Sequence, residues 1–180
     1  MSPLKLLPIL LLAACSSAPP APPADAMQLP PPMAEHKRLL EGVGEWEGTL
    51  TMWVPDQPEQ QIAAREVIEP LGSYWTRSRF TCDFMGLPFE GTGTTGYDPV
   101  KQRYVGTWVD SMTMELVVME GEMSADGKTL VMRWTARDPG TGQPGPQRSE
   151  TVRTGDTTTS TFFHGEGQGT KSMQIVMKRK

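Results

Sequence analysis

Apolar and polar residues alternate along most of the chain after residue 44. Between residues 45 and 54, for example, Trp46, Leu50, Met52 and Val54 alternate with charged or hydroxyl-bearing residues. A period of two is typical of strands that bury one face. The pattern predicts about nine or ten strands, at 44–54, 60–69, 73–84, 88–97, 101–111, 114–123, 128–136, 148–154, 157–164 and 171–179.

One helical segment precedes the first strand. In Met33 to Val43, residues Met33, His36, Leu40 and Val43 fall on one helical face, and Gly44 is a natural stop. Turn signals such as Asp126-Gly127 separate the alternating runs. The Gly- and Pro-rich stretch 138–147 is expected to be a mobile loop.

Many short strands without a second helix predict an all-β fold. The expected architecture is an antiparallel meander that closes into a β-barrel, since closure removes the exposed edges of the sheet. A β-sandwich is the alternative. The folded domain is expected to span 33–180.

The first 32 residues have a different character. Residues 1–14 combine one lysine with a short apolar stretch, which is far below the ~20 residues that cross a bilayer and is typical of a signal peptide. The sequence Leu12-Ala13-Ala14-Cys15 resembles the bacterial lipobox, which implies cleavage before Cys15 and lipidation of its thiol. An ordinary secretory signal is the alternative.

The lipobox is followed by a linker at 15–32 that contains seven prolines and is expected to be extended and disordered. The residue after the cysteine is Ser16 and not an aspartate, and this resembles the sorting signal for the outer membrane. The expected location is therefore the cell envelope, on the periplasmic face of the outer membrane, with the membrane reached through the lipid on Cys15.

Charge and motifs narrow the possible functions. The formal net charge is −4, which argues against nucleic acid as a partner. The two histidines, His36 and His164, show no metal-ligand spacing, so neither a metal nor a cofactor is expected. No catalytic residues are predicted, because the motifs of nucleophilic and phosphate chemistry are absent. An enzyme with a hidden site is the least favoured alternative.

Several landmarks resemble a known family. The run Val43-Gly44-Glu45-Trp46 is similar to the Gly-X-Trp opening of lipocalin-type barrels. Together with GYDPVKQRYVGTWVDSM at 96–112 and KSMQIVMKRK at 171–180, residues 35–180 resemble the bacterial family called domain of unknown function 1579. The resemblance implies a lipocalin-like barrel and no established activity. In such barrels a cation from the last strand covers the first tryptophan, which here implies that Arg179 lies over Trp46.

The positions expected to face inward mix aromatic rings, hydroxyls and methionines, which suits a pocket for small apolar molecules. The predicted function is therefore binding of a small hydrophobic or amphipathic ligand inside the barrel. The alternative is a filled barrel that acts as a non-catalytic interaction or structural module of the envelope, with an unidentified protein partner. The predicted pocket residues are Met52, Tyr74, Phe80, Tyr104, Trp108, Met132 and Trp134.

Overall fold

The computed structural model describes residues 29–137, 142–165 and 167–180. The predicted signal peptide, Cys15 and most of the linker lie outside the described residues. Within Pro32–Lys180, which forms a compact unit, there are one short helix and ten strands. These are α1 Ala34–Leu40, β1 Gly44–Met52, β2 Gln60–Leu71, β3 Trp75–Phe84, β4 Leu87–Asp98, β5 Arg103–Asp110, β6 Val117–Met123, β7 Thr129–Arg137, β8 Pro144–Thr154, β9 Thr157–His164 and β10 Thr170–Arg179.

Each strand pairs antiparallel with its neighbour in sequence, and β1 pairs with β10 to close the sheet into a barrel. The closing register runs from Trp46 opposite Arg179 to Met52 opposite Met173. The predicted closed antiparallel barrel with one short N-terminal helix is thus confirmed. Closure gives every strand two neighbours, so no strand edge is left exposed along the paired regions.

The barrel has a helix end and an open end. The hairpin turns at 72–74, 99–102, 124–128 and 155–156 lie at the helix end. The segments 53–59, 85–86 and 111–116, together with residues 165 and 167–169, lie at the opposite, open end. Helix α1 packs against β3 and β4. We use these two names for the ends throughout.

His36 fixes the helix to the barrel. Its side chain is buried, and Nδ1 accepts a hydrogen bond from the Met33 amide at 3.0 Å. Nε2 therefore carries the proton and donates to the Tyr97 carbonyl at 3.1 Å. The imidazole also makes edge contacts with the rings of Tyr74 and Tyr97. The histidine on the apolar helical face is thus a packed structural group.

Three predicted boundaries differ from the observed ones by three residues or more, and the other boundaries differ by no more than two. The helix ends at Leu40 and not at Val43, because Gly42 and Val43 form turn bonds to the carbonyls of Leu39 and Leu40. Strand β6 begins at Val117 and not at 114, because the Asp110 carboxylate holds the preceding segment in a turn.

The third correction concerns the predicted loop at 138–147. Its first four residues lie outside the described part of the chain, but β8 already begins at Pro144. Pro144 and Pro146 pair with β7 beyond the point where β9 reaches β8. Proline has no amide proton to donate. Because β9 does not reach these two positions, no hydrogen bond between β8 and β9 is lost there.

The outside of the barrel carries ion pairs between neighbouring strands. Examples are Glu45 with Arg65 at 2.7 Å and Arg79 with Glu90 at 2.7 Å. All four side chains are about half exposed, so each pair contributes little to stability. Among the described residues, no helix is long and apolar enough to cross a membrane.

Candidate functional site

The inner face of the barrel follows from strand alternation and register. Its most tightly packed part is a core cluster beside β1, β2, β3 and β10, formed by Trp46, Leu50, Ala64, Phe80 and Met177. Met52 and Trp108 pack against this cluster while remaining partly accessible. The predicted pocket residue Phe80 therefore belongs to the packed core, and Met52 and Trp108 lie at its border.

The helix end is closed by Trp46 and Arg179. The indole Nε1 of Trp46 donates to the Gly42 carbonyl at 2.9 Å, and the Arg179 guanidinium carbon lies 4.5 Å from the centre of the ring. Arg179 also donates from Nη1 to the Val43 carbonyl and from Nη2 to the Glu41 carbonyl, both at 2.6 Å. One side chain thus joins the last strand, the first tryptophan and the turn after the helix.

Two of the predicted pocket residues also lie toward this closed end. Tyr74 lies between β2 and β3 and contacts the His36 ring, with centroids 5.3 Å apart. Tyr104 is buried at the start of β5 and packs edge-on against Tyr97. Tyr74 therefore supports the helix rather than lining the central interior.

Trp108 lies across the glycines of β4. A Cβ atom at Gly91 would come within 2.1 Å of the Trp108 ring, and one at Gly93 within 3.0 Å. The indole Nε1 donates to the Asp110 carboxylate at 3.1 Å, and the same carboxylate accepts from the amides of Met112 and Thr113. The glycines of β4 thus make room for the Trp108 indole, and the Asp110 carboxylate at the open end holds it in place.

One part of the inner face of β8, β9 and β10, at Thr151, Ser160 and Ile175, is packed less tightly than the core cluster. Register places Thr151 opposite Ser160, and Ser160 opposite Ile175, which in turn lies opposite Leu50 of the core. Thr151, Ser160 and Ile175 point inward yet keep accessible surface. The hydroxyls of Thr151 and Ser160 lie 2.9 Å apart. Space of at least the size of water therefore adjoins this part of the interior.

Aromatic and sulfur-bearing side chains border this accessible region toward the open end. Trp134 and Phe162 face inward with ring centroids 6.3 Å apart, and both keep accessible surface. Trp134 also borders an open depression of about 380 Å³ together with Gln147 and Gly165. Met132, the remaining predicted pocket residue, is buried on β7.

Glu66 is a functional candidate that the sequence analysis missed. It lies on the inner face of β2, opposite Trp46 on β1 and Phe80 on β3. Burial raises the pKa of its carboxyl group to about 7, and a hydrogen bond from Ser78 partly opposes the rise. The sequence did carry the signal, because Glu66 shares its parity with Ile62 and Ile68.

Three other polar atoms inside the barrel are buried without a hydrogen-bond partner among the described residues. They are the Tyr104 hydroxyl, Nε of Arg153 and Nδ1 of His164. Because an unsatisfied buried polar group is costly, such groups are commonly completed by water or a ligand. The interior therefore offers polar groups as well as apolar surface.

The open end carries an exposed apolar rim. We define this rim as Met85 and Leu87 at the β3–β4 hairpin together with Met112, Met114 and Leu116 between β5 and β6; their exposure ranges from 43 to 105%. A second open depression, of about 530 Å³, lies outside the interior beside Met85 and Gln60. In the described part of the chain, no three or more His, Cys, Asp or Glu side chains form a group that could hold a metal ion.

Comparison with solved structures supports the fold. The crystal structure of Rv2717c from M. tuberculosis is similar with a TM-score of 0.59 and 15% sequence identity, covering 82% of this chain and 98% of that chain. At this identity the similarity shows the fold alone. No curated protein matches the chain.

A family model matches residues 31–179, which include every strand of the barrel and the helix. Its description is "Protein of unknown function (DUF1579)". The match agrees with the resemblance that the landmarks at 35–48, 96–112 and 171–180 imply. The chain therefore belongs to the DUF1579 family.

Proposed function

We propose that the barrel binds a small hydrophobic or amphipathic molecule in its interior. The observation that carries the proposal is the accessible surface on inward-facing side chains of β8, β9 and β10, such as Thr151, Ser160, Phe162 and Ile175. Inward-facing side chains of a filled barrel would be buried, as Leu50 on β1 and Met177 on β10 are.

The size of the barrel supports this proposal. About eight strands give an interior that side chains can fill or that holds one small ligand, and the diameter grows with strand number. This barrel has ten strands.

The chemistry of the inner surface favours an amphipathic molecule. Indole, phenyl and thioether groups supply apolar contact at Trp108, Trp134, Phe162 and Met173, and the hydroxyls of Thr151 and Ser160 supply hydrogen bonds. The apolar rim gives an apolar molecule a surface at the entrance.

A second part of the proposal concerns location. We infer from Leu12-Ala13-Ala14-Cys15 that the chain is a lipoprotein anchored to the cell envelope through Cys15. A proline-rich linker of this length would span ~50 Å if it adopted polyproline II. In the Cys15→Ser variant, metabolic labelling with a fatty-acid analogue should be lost; labelling equal to that of the wild type would contradict the anchor.

Filling the interior tests ligand binding directly. Ser160→Phe places a ring in the accessible region, and Thr159→Phe is the matched control because Thr159 faces outward on the same strand. In the full-length chain with Cys15→Ser, the neutral fluorophore N-phenyl-1-naphthylamine should bind saturably. Ser160→Phe should weaken binding at least about tenfold, and Thr159→Phe should not.

The alternative, a filled barrel that acts as an interaction module, gives a different result. Overpacking a full interior costs about 1–3 kcal/mol, so Ser160→Phe would then lower the unfolding free energy clearly more than Thr159→Phe. Saturable fluorophore binding would be absent in the wild type. That pair of results would overturn the ligand-binding proposal.

A further inference from the structure

Glu66 occupies an unusual position for a carboxylate. It points into the barrel from the middle of β2, with Trp46 opposite on one side and Phe80 on the other. Both of these rings are buried. Glu66 itself keeps some accessible surface, as Ser78 does on β3. Glu66 therefore lies inside the barrel with its side chain only partly accessible.

The fold supplies Glu66 with little compensation. Ser78 is the side-chain hydrogen-bond partner that acts on its pKa, and no cation contributes. An ionised carboxylate can accept about four hydrogen bonds. A buried, ionised carboxylate is costly unless further hydrogen-bond donors or an opposite charge compensate it.

Other inward-facing charged groups are already engaged. Arg179 covers Trp46 and donates to the carbonyls of Val43 and Glu41. Asp110 accepts from Trp108 and from two backbone amides. Arg153 donates to the Arg38 carbonyl at the helix. None of these groups is a partner of Glu66.

We propose that Glu66, assisted by Ser78, is the polar anchor of the internal site and selects ligands that carry a protonated amine on an apolar body. This inference rests on the proposed binding of a ligand inside the barrel and names the chemistry of that ligand. An ammonium group supplies up to three donors and a matching charge, while the apolar body reaches the accessible wall of β8, β9 and β10. A carboxylate-bearing ligand would be repelled by the ionised Glu66.

The pairing depends on pH with a definite sign. The inward-facing neighbours of Glu66 on β1 and β3 are Trp46, Gly48, Ser78 and Phe80, and none of them is charged. Arg179 is the nearest inward cation by register, two strands away across Trp46. An alkylamine remains protonated well above neutrality, so Glu66 is the group that titrates. Preference for the amine should be present above pH ~7 and decline as the pH falls through that value.

Competition between matched alkyl probes tests the inference. The full-length chain with Cys15→Ser is loaded with N-phenyl-1-naphthylamine, and its displacement by dodecylamine, dodecanol and dodecanoate is measured at pH 8 and pH 5.5. Dodecylamine should bind about tenfold more tightly than dodecanol at pH 8, which corresponds to one charge-assisted hydrogen bond. The difference should shrink to within about twofold at pH 5.5.

Two variants distinguish the effect of Glu66 on ligand preference from the effect of surface charge in general. Glu66→Gln keeps the size and shape of the side chain and should lose the amine preference at pH 8 while still binding dodecanol and the fluorophore. Glu69→Gln removes an exposed carboxylate on the same strand and should keep the preference.

The outcomes distinguish this inference from the proposed function. An equal or greater affinity for dodecanoate, or an amine preference that survives in Glu66→Gln, would overturn the role of Glu66 and leave internal binding standing. A wild-type chain that does not bind the fluorophore saturably would instead overturn the proposed function itself.

Discussion

Replacing Arg179 with alanine should destabilise the barrel far more than the same change at its neighbour Lys180. Arg179 covers Trp46 at 4.5 Å and makes two bonds of 2.6 Å to the carbonyls of Glu41 and Val43. Lys180 lies outside in an exposed pair with Glu47. The two variants remove one cation each, from the last residue of β10 and from the residue that follows it.

The magnitude follows from these contacts. A cation over an indole contributes ~0.5–2 kcal/mol, and a hydrogen bond from a charged group ~1.5–3 kcal/mol. Because the Arg179 side chain is 30% exposed, the lower values apply, and water replaces part of the lost bonding at the exposed Glu41. We expect Arg179→Ala to cost about 3 kcal/mol, and Lys180→Ala less than about 0.5 kcal/mol.

Urea unfolding followed by circular dichroism measures both values. For a domain of this size, about 3 kcal/mol also corresponds to a fall in Tm of roughly 10 °C. The stability of Arg179→Lys should lie between those of the two alanine variants, because lysine keeps the charge but lacks the planar guanidinium group. Equal stabilities of Arg179→Ala and Lys180→Ala would refute the role of this side chain in closing the barrel.

Three further predictions concern the interior. Since burial raises the pKa of Glu66 to about 7 from 4.5, the folded state binds more protons between those values and the unfolding free energy falls as pH rises through them, by about 3 kcal/mol in total. Urea unfolding should therefore show that the unfolding free energy of Glu66→Gln rises relative to that of the wild type between pH 5 and 8. The control Glu69→Gln should show no such rise. Parallel pH profiles for the wild type and Glu66→Gln would contradict the burial of the charge. Gly91→Ala should displace the Trp108 ring and cost about 1–3 kcal/mol, visible as a red shift of tryptophan emission, and an unchanged spectrum and stability would contradict the close contact. The thiol of Cys82, whose pKa burial raises, should react slowly with a bulky maleimide until the chain is unfolded, and equal rates in both states would be inconsistent with its inward position.

The barrel itself was predictable because its pattern is redundant. Ten alternating runs separated by turn residues define one apolar face, and closure follows from the need to cover strand edges. The Gly-X-Trp opening and the parity of Arg179 placed the two closing residues on the same face. The register between β1 and β10 could not be read from either strand alone, because it depends on the geometry of the whole barrel.

The candidate site was harder to predict. Sequence reasoning selected large apolar residues, and several of them, such as Phe80 and Met132, fill the packed region. The accessible part of the interior is instead formed by small hydroxyl-bearing residues, Thr151 and Ser160. Their alternation is indistinct because both faces of β9 carry threonine or serine. Glu66 was missed because a charged residue is normally assigned to the outside.

The predicted boundaries were wrong where local hydrogen bonds form a turn next to a helix or strand. The turn that Asp110 stabilises delays β6, and the turn bond from Val43 to the Leu40 carbonyl ends the helix early. Such contacts override propensity over two or three residues. They left the topology and the inward parity of the strands unchanged.

Native mass spectrometry of the membrane-released protein tests the central claim, internal ligand binding, most directly. The protein is released from its own membrane in mild detergent, with the Ser160→Phe variant in parallel. We expect the wild type to carry one small molecule per chain, or to take up one molecule of N-phenyl-1-naphthylamine saturably, and Ser160→Phe to do neither. A wild-type spectrum that shows the chain alone under both conditions, or equal uptake by the two proteins, would contradict the account.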